Sequence, residues 1–455
     1  MEKNLTSGGV FKNIAAFSLP YLLSYFLQTL YGMADLFIIG QFEGVSSTTA
    51  VSVGSQVMHM LTVMIVGLAM GSTVSIGQAV GGKDSRGAAS CIGNTVSLFM
   101  GLTAVLTAAL LLLVGPIVSA ISTPAEAVSG TTVYLVICFA GIPFITAYNI
   151  ISSIFRGMGD SRSPMYFIAV ACAVNIGLDY LFMGGLHLGP AGAALGTVLS
   201  QAVSVAVSLA VIRKRKSGIS LCPRDFRPKA MVMGKILKIG IPVALQDGFI
   251  QISFIAITVI ANRRGLNDAA AVGIVEKIIS FLFLIPSSML STVSALGAQN
   301  IGAGRPDRAK LTLRYAVVIA ACFGICAGVL AQFLAEPAVG LFTDASGADG
   351  AQVVRLGGQY LRGYVWDCLF AGIHFSFSGY FCACGKSELS FLHNLIAILL
   401  VRLPGAYAAS ALFPDTLFPM GLATATGSLL SVIVSAIAFW ALSGKGKEGR
   451  RLQNG

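Results

Sequence analysis

About twelve stretches of this chain are apolar over roughly 20 residues or more, the length a helix needs to cross a bilayer. They run 14–40, 50–80, 89–121, 128–155, 164–185, 190–212, 236–262, 268–300, 310–335, 351–381, 389–411 and 416–443. Hydrocarbon offers no partner to a backbone N–H or C=O, so segments of this kind span as helices or as closed barrels, and runs this long fit only helices. Charged residues make up 11% of the 455 positions, too few to coat a soluble particle whose composition is 55% hydrophobic. The expectation is an all-α membrane protein with about twelve transmembrane helices.

A net charge of +11 raises the question of nucleic acid or acidic partners, and the placement of the basic residues answers it. Of 30 Lys and Arg, 24 lie near the ends of the chain or in alternate loops, where the positive-inside rule puts cytoplasm. The densest run falls between Arg213 and Lys238, and Arg263 and Arg264 are a local exception. This predicts a multi-pass plasma-membrane (cell inner membrane) protein with both termini cytoplasmic and no nucleic-acid partner. The first apolar run is too long for a signal-peptide core and reads as a retained helix. The nine Cys are scattered through predicted helices and read as reduced packing thiols.

No nucleotide-binding or hydrolase motif occurs, and His59, His187, His374 and His393 show no ligand spacing. The chain is therefore expected to be no enzyme and to carry no cofactor.

The sequence repeats with a period of roughly 220 residues. Pro20 in SLPYLL matches Pro242 in GIPVAL, and STVSIGQAVGGKDSR from Ser72 matches STVSALGAQNIGAGRPDR from Ser291. Gly157–Met165 matches Ala383–Phe391, and Gly192 and Thr197 match Gly421 and Thr426. Each copy holds an even number of spans, so the halves enter and leave on one side and are related by a pseudo-two-fold axis along the membrane normal. The domains expected are an N-lobe, 1–212, a basic cytoplasmic linker, 213–235, and a C-lobe, 236–455, able to rock about a shared cavity. The linker serves as a topology determinant and offers anionic lipid headgroups a contact.

Inside the apolar runs, ionisable residues mark function, because an uncompensated charge there costs several kcal/mol. Tyr21, Ser24, Gln28, Tyr31 and Asp35 recur at helical spacing and form one stripe on the first span. Asn175 and Asp179 stand one turn apart on the fifth span, and Thr197 and Gln201 repeat that spacing on the sixth. Counted along the helices, Asp35, Asp179 and Thr197 fall in the same half of the bilayer. Asp35, Asn175, Asp179 and Thr197 make a set of oxygen ligands for Na⁺, or a carboxylate pair able to hold a proton. Hydrogen bonding among them between helices is the structural alternative.

In the second half, Asp35, Asn175 and Asp179 are replaced by Ile257, Arg402 and Ala406, which assigns the ion site to the first half alone. Asp247, Gln251, Glu276 and Asp367 are candidates to line a cavity for a cationic solute with Tyr21, Gln28 and Tyr31, with an internal salt-bridge network as the alternative.

VNIGLDY at Val174–Tyr180, GAALGTVLSQ at Gly192–Gln201, MADLFIIGQFEG at Met33–Gly44 and RGMGDSRSPM at Arg156–Met165, with the paired prolines and two six-helix halves, resemble the multidrug and toxic compound extrusion (MATE) transporters. The resemblance covers nearly the whole chain. It implies a secondary active antiporter exporting cationic amphipathic drugs or metabolites in exchange for Na⁺ or H⁺ by alternating access, competent as a monomer. The family's cation-site residues fall on Asp35, Asn175, Asp179 and Thr197. The acid that follows the seventh-helix proline in some members is represented here only by Asp247 and the amide Gln251. The runner-up readings are a flippase for lipid-linked precursors and a non-transporting receptor or scaffold.

Overall fold

The computed structural model describes residues 4–121, 123–214, 219–343 and 347–453, with side chains as far as residue 442. Lys3, Arg215, Lys216 and the side chains of Lys445, Lys447, Arg450 and Arg451 lie outside that description. Among the described residues every regular element is helical.

Helices α1 (Val10–Phe42), α2 (Val45–Gly81) and α3 (Ser85–Ala120) are continuous rods. The next rod is broken: α4 (Val128–Ala140) and α5 (Ile142–Gly157) meet at Gly141 with a bend of 49°. Pro143 in the first turn of α5 has no N–H to continue the ladder, which accounts for the break. Helix α6 (Arg162–Asp179) runs into a π-helical turn, Tyr180–Gly185, and α7 (Gly189–Lys214) returns beside it.

The second half opens with α8 (Ala230–Asn262), followed by α9 (Leu266–Leu282) and α10 (Leu284–Gly302), which together make one span. Then come α11 (Pro306–Gly340), α12 (Ala348–Tyr364) and α13 (Trp366–Ala383). Helix α14 (Ser387–Ala397) passes through a π turn, Ile398–Arg402, into α15 (Leu403–Leu412), and α16 (Phe418–Gln453) closes the chain. Among the described residues, 10 spans are long and apolar enough to cross a membrane, and the bent α4–α5 pair makes 11. The remaining pair, α12 and α13, carries Arg355, Arg362, Asp367 and His374 and is too polar to qualify on those terms.

The chain forms two compact units, one built around Ala15–Ala244 and one around Leu245–Ile301 with Arg305–Gly455. The division falls inside α8, because the linker is tied to α3. Asn94 donates to the Asp225 carbonyl (3.2 Å) and accepts from the Lys229 N–H (2.7 Å), while Ser97 donates to the Phe226 carbonyl (2.6 Å). Gly93 lets that strap approach, since a side chain there would strike the Asp225 carbonyl.

The first unit turns usual burial inside out. Leu19, Phe37, Val105 and Leu112 are exposed, while Ser72, Thr73, Thr95 and Ser153 are buried. The buried hydroxyls bond between helices: Thr73 with Ser153 (2.6 Å), Ser153 to the Ala69 carbonyl (2.6 Å) and Thr95 to Ser72 (3.0 Å). That is the packing chemistry of helices in lipid, where apolar contact alone gives no preference for protein over solvent.

The sequence repeat reappears as turn geometry. Four helix ends share a bond reaching back five residues, at 2.8–2.9 Å: Asp84 to Ala79, Asp160 to Phe155, Arg305 to Asn300 and Lys386 to Phe381. Each follows a residue of positive φ, namely Lys83 (57°), Gly159 (87°), Gly304 (69°) and Gly385 (70°). This is the Schellman closure, which favours glycine at the left-handed position. Lys83 breaks the pattern. Lys83→Gly is expected to stabilise the protein by roughly 0.5–1 kcal/mol, the left-handed penalty less glycine's extra chain entropy. A rise in the thermal midpoint of the purified protein checks it.

Arg264, the exception in the charge pattern, has a structural task. Its guanidinium donates to Asp268 (2.7 Å) and to the carbonyls of Ser410 (2.9 Å), Phe413 (3.2 Å), Pro414 (2.7 Å) and Thr416 (3.3 Å). It thereby ties the α8–α9 turn to the connection between α15 and α16. Arg264→Lys keeps the charge but not the planar fork, so it is expected to cost about 2–3 kcal/mol, read as a lowered thermal midpoint with the variant still folded.

Candidate ion-binding site

The site is assembled on three helices of the first unit. Asp35 ends the polar stripe on α1 and is 4% exposed. Asn175 and Asp179 lie one turn apart on α6, and both are fully buried. Thr197 on α7 completes the set, its hydroxyl 3.2 Å from Asp35 Oδ2 and 3.1 Å from the Ala193 carbonyl. That hydroxyl has one proton, so it bonds one acceptor fully or divides weakly between two. Asp35 stands within direct interaction range of Asp179, Asn175 and Thr197. The four residues named from spacing and depth are therefore neighbours in space.

Local sequence explains the convergence. Helix α7 begins with Gly189, Gly192, Ala193, Ala194 and Gly196, side chains small enough for α6 to lie close. Gly196 is the critical member, because a methyl group built on its Cα would collide with Asp179 Oδ1. Asp179 is also the last residue of α6 before the π-helical turn, whose extra residue per turn re-aims the helix at the point where the carboxylate projects. Ile38, Ile39, Met183, Ala193 and Ala194 pack in one apolar cluster around this point.

The electrostatics are one-sided. Among the described residues, Asp35 Oδ1, both Asp179 oxygens and both polar atoms of Asn175 have no hydrogen-bond partner. Buried polar groups are ordinarily paired, and a buried carboxylate without a cation is the most costly exception. Between helices, Thr197 bonds Asp35 within 3.2 Å, and Asp179 and Asn175 stand close enough to Asp35 to interact with it. In chemical terms the site presents two carboxylates, an amide oxygen and a hydroxyl, a hard-oxygen set suited to an alkali cation or to a shared proton.

Of the other sequence candidates in this unit, Tyr31 lies one turn from Asp35, half-buried, beside Gln201 and Tyr148. Tyr21 is elsewhere: its ring meets Tyr25 edge-on at 4.9 Å, and the Arg156 guanidinium already covers its face at 5.0 Å. Gln28 sits half-buried between them on α1.

Within the second unit, Asp367 is fully buried and pairs with Arg402 at 3.5 Å. The same guanidinium donates to the Tyr364 hydroxyl (3.2 Å) and stacks on Phe254 at 4.9 Å. Glu276 accepts from Thr258 (3.1 Å) and shares the Tyr360 neighbourhood with Arg402 and Asp367. Asp247 and Gln251 are half-buried on α8, Asp247 beside Cys382. So the position matching Asn175 holds a resident cation, and the network reading fits Asp367, while Asp247 has no ion-pair partner among the described residues. Sequence reading missed Gly196, although its place one residue before Thr197 in GAALGT was the available signal. It also missed that His374 and His393 are adjacent.

With this many apolar helices the chain is a multi-pass membrane protein that carries acids within its spans. The MatE family model matches residues 20–181 and 242–408, one match to each half. The chain belongs to the MatE family, whose members are transporters and not enzymes. It is 30% identical over 435 residues to the probable multidrug resistance protein YpnP of Bacillus subtilis (strain 168), covering 96% of this chain and 95% of that protein. It is 27% identical to the multidrug export protein MepA of Staphylococcus haemolyticus (strain JCSC1435), covering 83% and 82%. Among solved structures, a MATE in complex with MaL6 superposes with a TM-score of 0.89 at 22% identity, over 97% of this chain and 99% of that one. An outward-facing multidrug resistance MATE transporter of the MOP superfamily matches equally well, with a TM-score of 0.89 at 22% identity over 97% and 98%. At that identity the likeness establishes the fold.

Gly196→Ala is expected to force Asp179 and α6 away from α7 at about 1–3 kcal/mol, the usual cost of overpacking. A thermal midpoint lowered in Gly196→Ala but not in Gly177→Ala, where a methyl group meets open space, checks it.

Proposed function

We propose that this protein is a secondary active antiporter that exports cationic amphipathic small molecules in exchange for Na⁺ or H⁺. The observation that carries the proposal is the pair of buried carboxylates, Asp35 and Asp179, with no counter-charge and three of four oxygens unpartnered among the described residues. An ion with differential affinity for two conformations is what such a pair requires and what coupling requires. The names of the relatives, multidrug resistance and multidrug export, support drug-like small molecules as the solutes.

In this reading Na⁺ is held by the carboxylates with Asn175 Oδ1 and Thr197 Oγ1, or a proton is shared between the two acids. Either removes the mutual repulsion and lets α1, α6 and α7 close on one another; release restores it. Pro20 in α1 breaks the backbone ladder below Asp35, and Ser24 donates back to the Pro20 carbonyl (2.9 Å), so the helix has a place to bend as the ion enters. At 100 mV each net charge moved inward supplies about 2.3 kcal/mol, enough to support roughly a 50-fold solute gradient. In this reading both termini are cytoplasmic, as the positive-inside rule favours, the basic linker meets anionic lipid, and a single chain is the transporting unit.

Purified protein in liposomes, loaded with a fluorescent organic cation, is expected to extrude it under an imposed Na⁺ or pH gradient, and varying the two gradients separately names the ion. Asp35→Asn with Asp179→Asn is expected to abolish the gradient-driven component. Undiminished efflux in that double variant defeats the coupling assignment.

A further inference from the structure

The second unit buries two imidazoles in contact. His374 on α13 is 3% exposed and His393 on α14 is 1% exposed, and their rings meet edge to face with centroids 5.5 Å apart. His393 Nε2 lies 2.9 Å from Ser378 Oγ, and its Nδ1 lies 3.2 Å from Ser431 Oγ on α16. Ser431 also donates to the His393 carbonyl (3.1 Å). His374 Nδ1 has no partner among the described residues.

Ser431 has one proton to share between the His393 carbonyl and Nδ1; given to the carbonyl, it leaves Nδ1 to donate to Ser431 Oγ. Nε2 is then an acceptor, and Ser378 donates to it. In that arrangement the ring is neutral with its proton on Nδ1, and it joins α13 to α16 through α14. If Nε2 takes a proton, Ser378 can turn its own hydroxyl to the carbonyl one turn back and accept instead, so the bond survives while a charge appears.

The surroundings are poorly suited to that charge. Arg402, at the end of the π turn, acts on His374 from nearby, and its carboxylate partner Asp367 lies two turns earlier on α13. Asp247 on α8 lies beside Cys382, two turns further along α13. Toward α13, α11 presents Ala320 and Gly324, and Ser390 on α14 is bonded to Gln246 of α8. A protonated pair would thus add positive charge near a buried guanidinium whose carboxylate is already engaged, on side chains that are themselves buried.

We propose that His374 and His393 form a proton-binding site in the second unit, separate from Asp35 and Asp179: neutral, they latch α13, α14 and α16 together, and protonated, they loosen that packing. Linkage gives the direction, since protons favour the looser state in which the imidazolium reaches water and are released as the helices close.

The chain has four His, so isotope-labelled imidazoles in lipid nanodiscs give a resolvable spectrum, assigned with His59→Gln and His187→Gln. At about pH 8 His393 is expected as the Nδ1–H tautomer, and both buried rings are expected to protonate together as pH falls to about 5. Hydrogen exchange of α13 and α14, corrected for its intrinsic pH dependence, is expected to rise about tenfold over that range while α2 does not change. His374→Gln with His393→Gln is expected to remove the rise. Rings that stay neutral to the acid limit, protonation without faster exchange, or an unchanged rise in the double variant overturns the proposal. Should the double variant fail to fold, Ser431→Ala is expected to move the His393 titration, and a titration left in place overturns it equally. None of these readings depends on transport.

Discussion

The cost of leaving charge unpaired in a medium that cannot solvate it organises this molecule. The half-buried Arg264 is met by Asp268 and by carbonyl oxygens from a distant connection. Where the chain carries Arg402, a carboxylate, a phenol and an aromatic face surround the guanidinium. Against that background Asp35 and Asp179 stand out as acids brought together without compensation. Their proximity is enforced by backbone choice at Gly196, which trades a side chain for the room an Asp179 oxygen occupies.

Helix number and membrane class were legible because apolar length is a one-dimensional property, and so was the internal repeat, which rests on turn residues. The shared Schellman turns at Gly159 and Gly385 give that repeat a structural cause. That Asp35, Asn175, Asp179 and Thr197 are neighbours was legible for a related reason. Helical spacing fixes the face, residue count fixes the depth, and polar residues at equal depth on neighbouring helices have little choice of company. What spacing does not fix is rotation of one helix about its axis relative to another. Nor does a shared stripe mean a shared site: Tyr21 and Asp35 are about 21 Å apart along α1 and end in different surroundings, with Arg156 over Tyr21.

The same limit hid the histidines. His374 and His393 have no motif spacing, and only the packing of α13 on α14 makes them a pair. Breaks within spans were also beyond a hydropathy reading: the bend at Gly141 and the π turns at Tyr180–Gly185 and Ile398–Arg402 change the aim of a helix without changing its composition. The linker looked like a free polar segment because its bonds to Asn94 and Ser97 use its carbonyls and amides, which every sequence possesses.

The two π turns end in opposite chemistry. The first follows Asp179, which pairs with no basic side chain among the described residues, and the second ends on Arg402, a cation fixed to the chain. A guanidinium held by peptide bonds neutralises Asp367 permanently and never dissolves into either aqueous phase. A field across the bilayer can do work on an ion that arrives from one side and leaves by the other, but not on a charge that is merely covalent furniture. The two halves of the repeat therefore carry different electrostatics at matching places: paired acids in the first, and an acid held by a basic side chain of the same chain in the second.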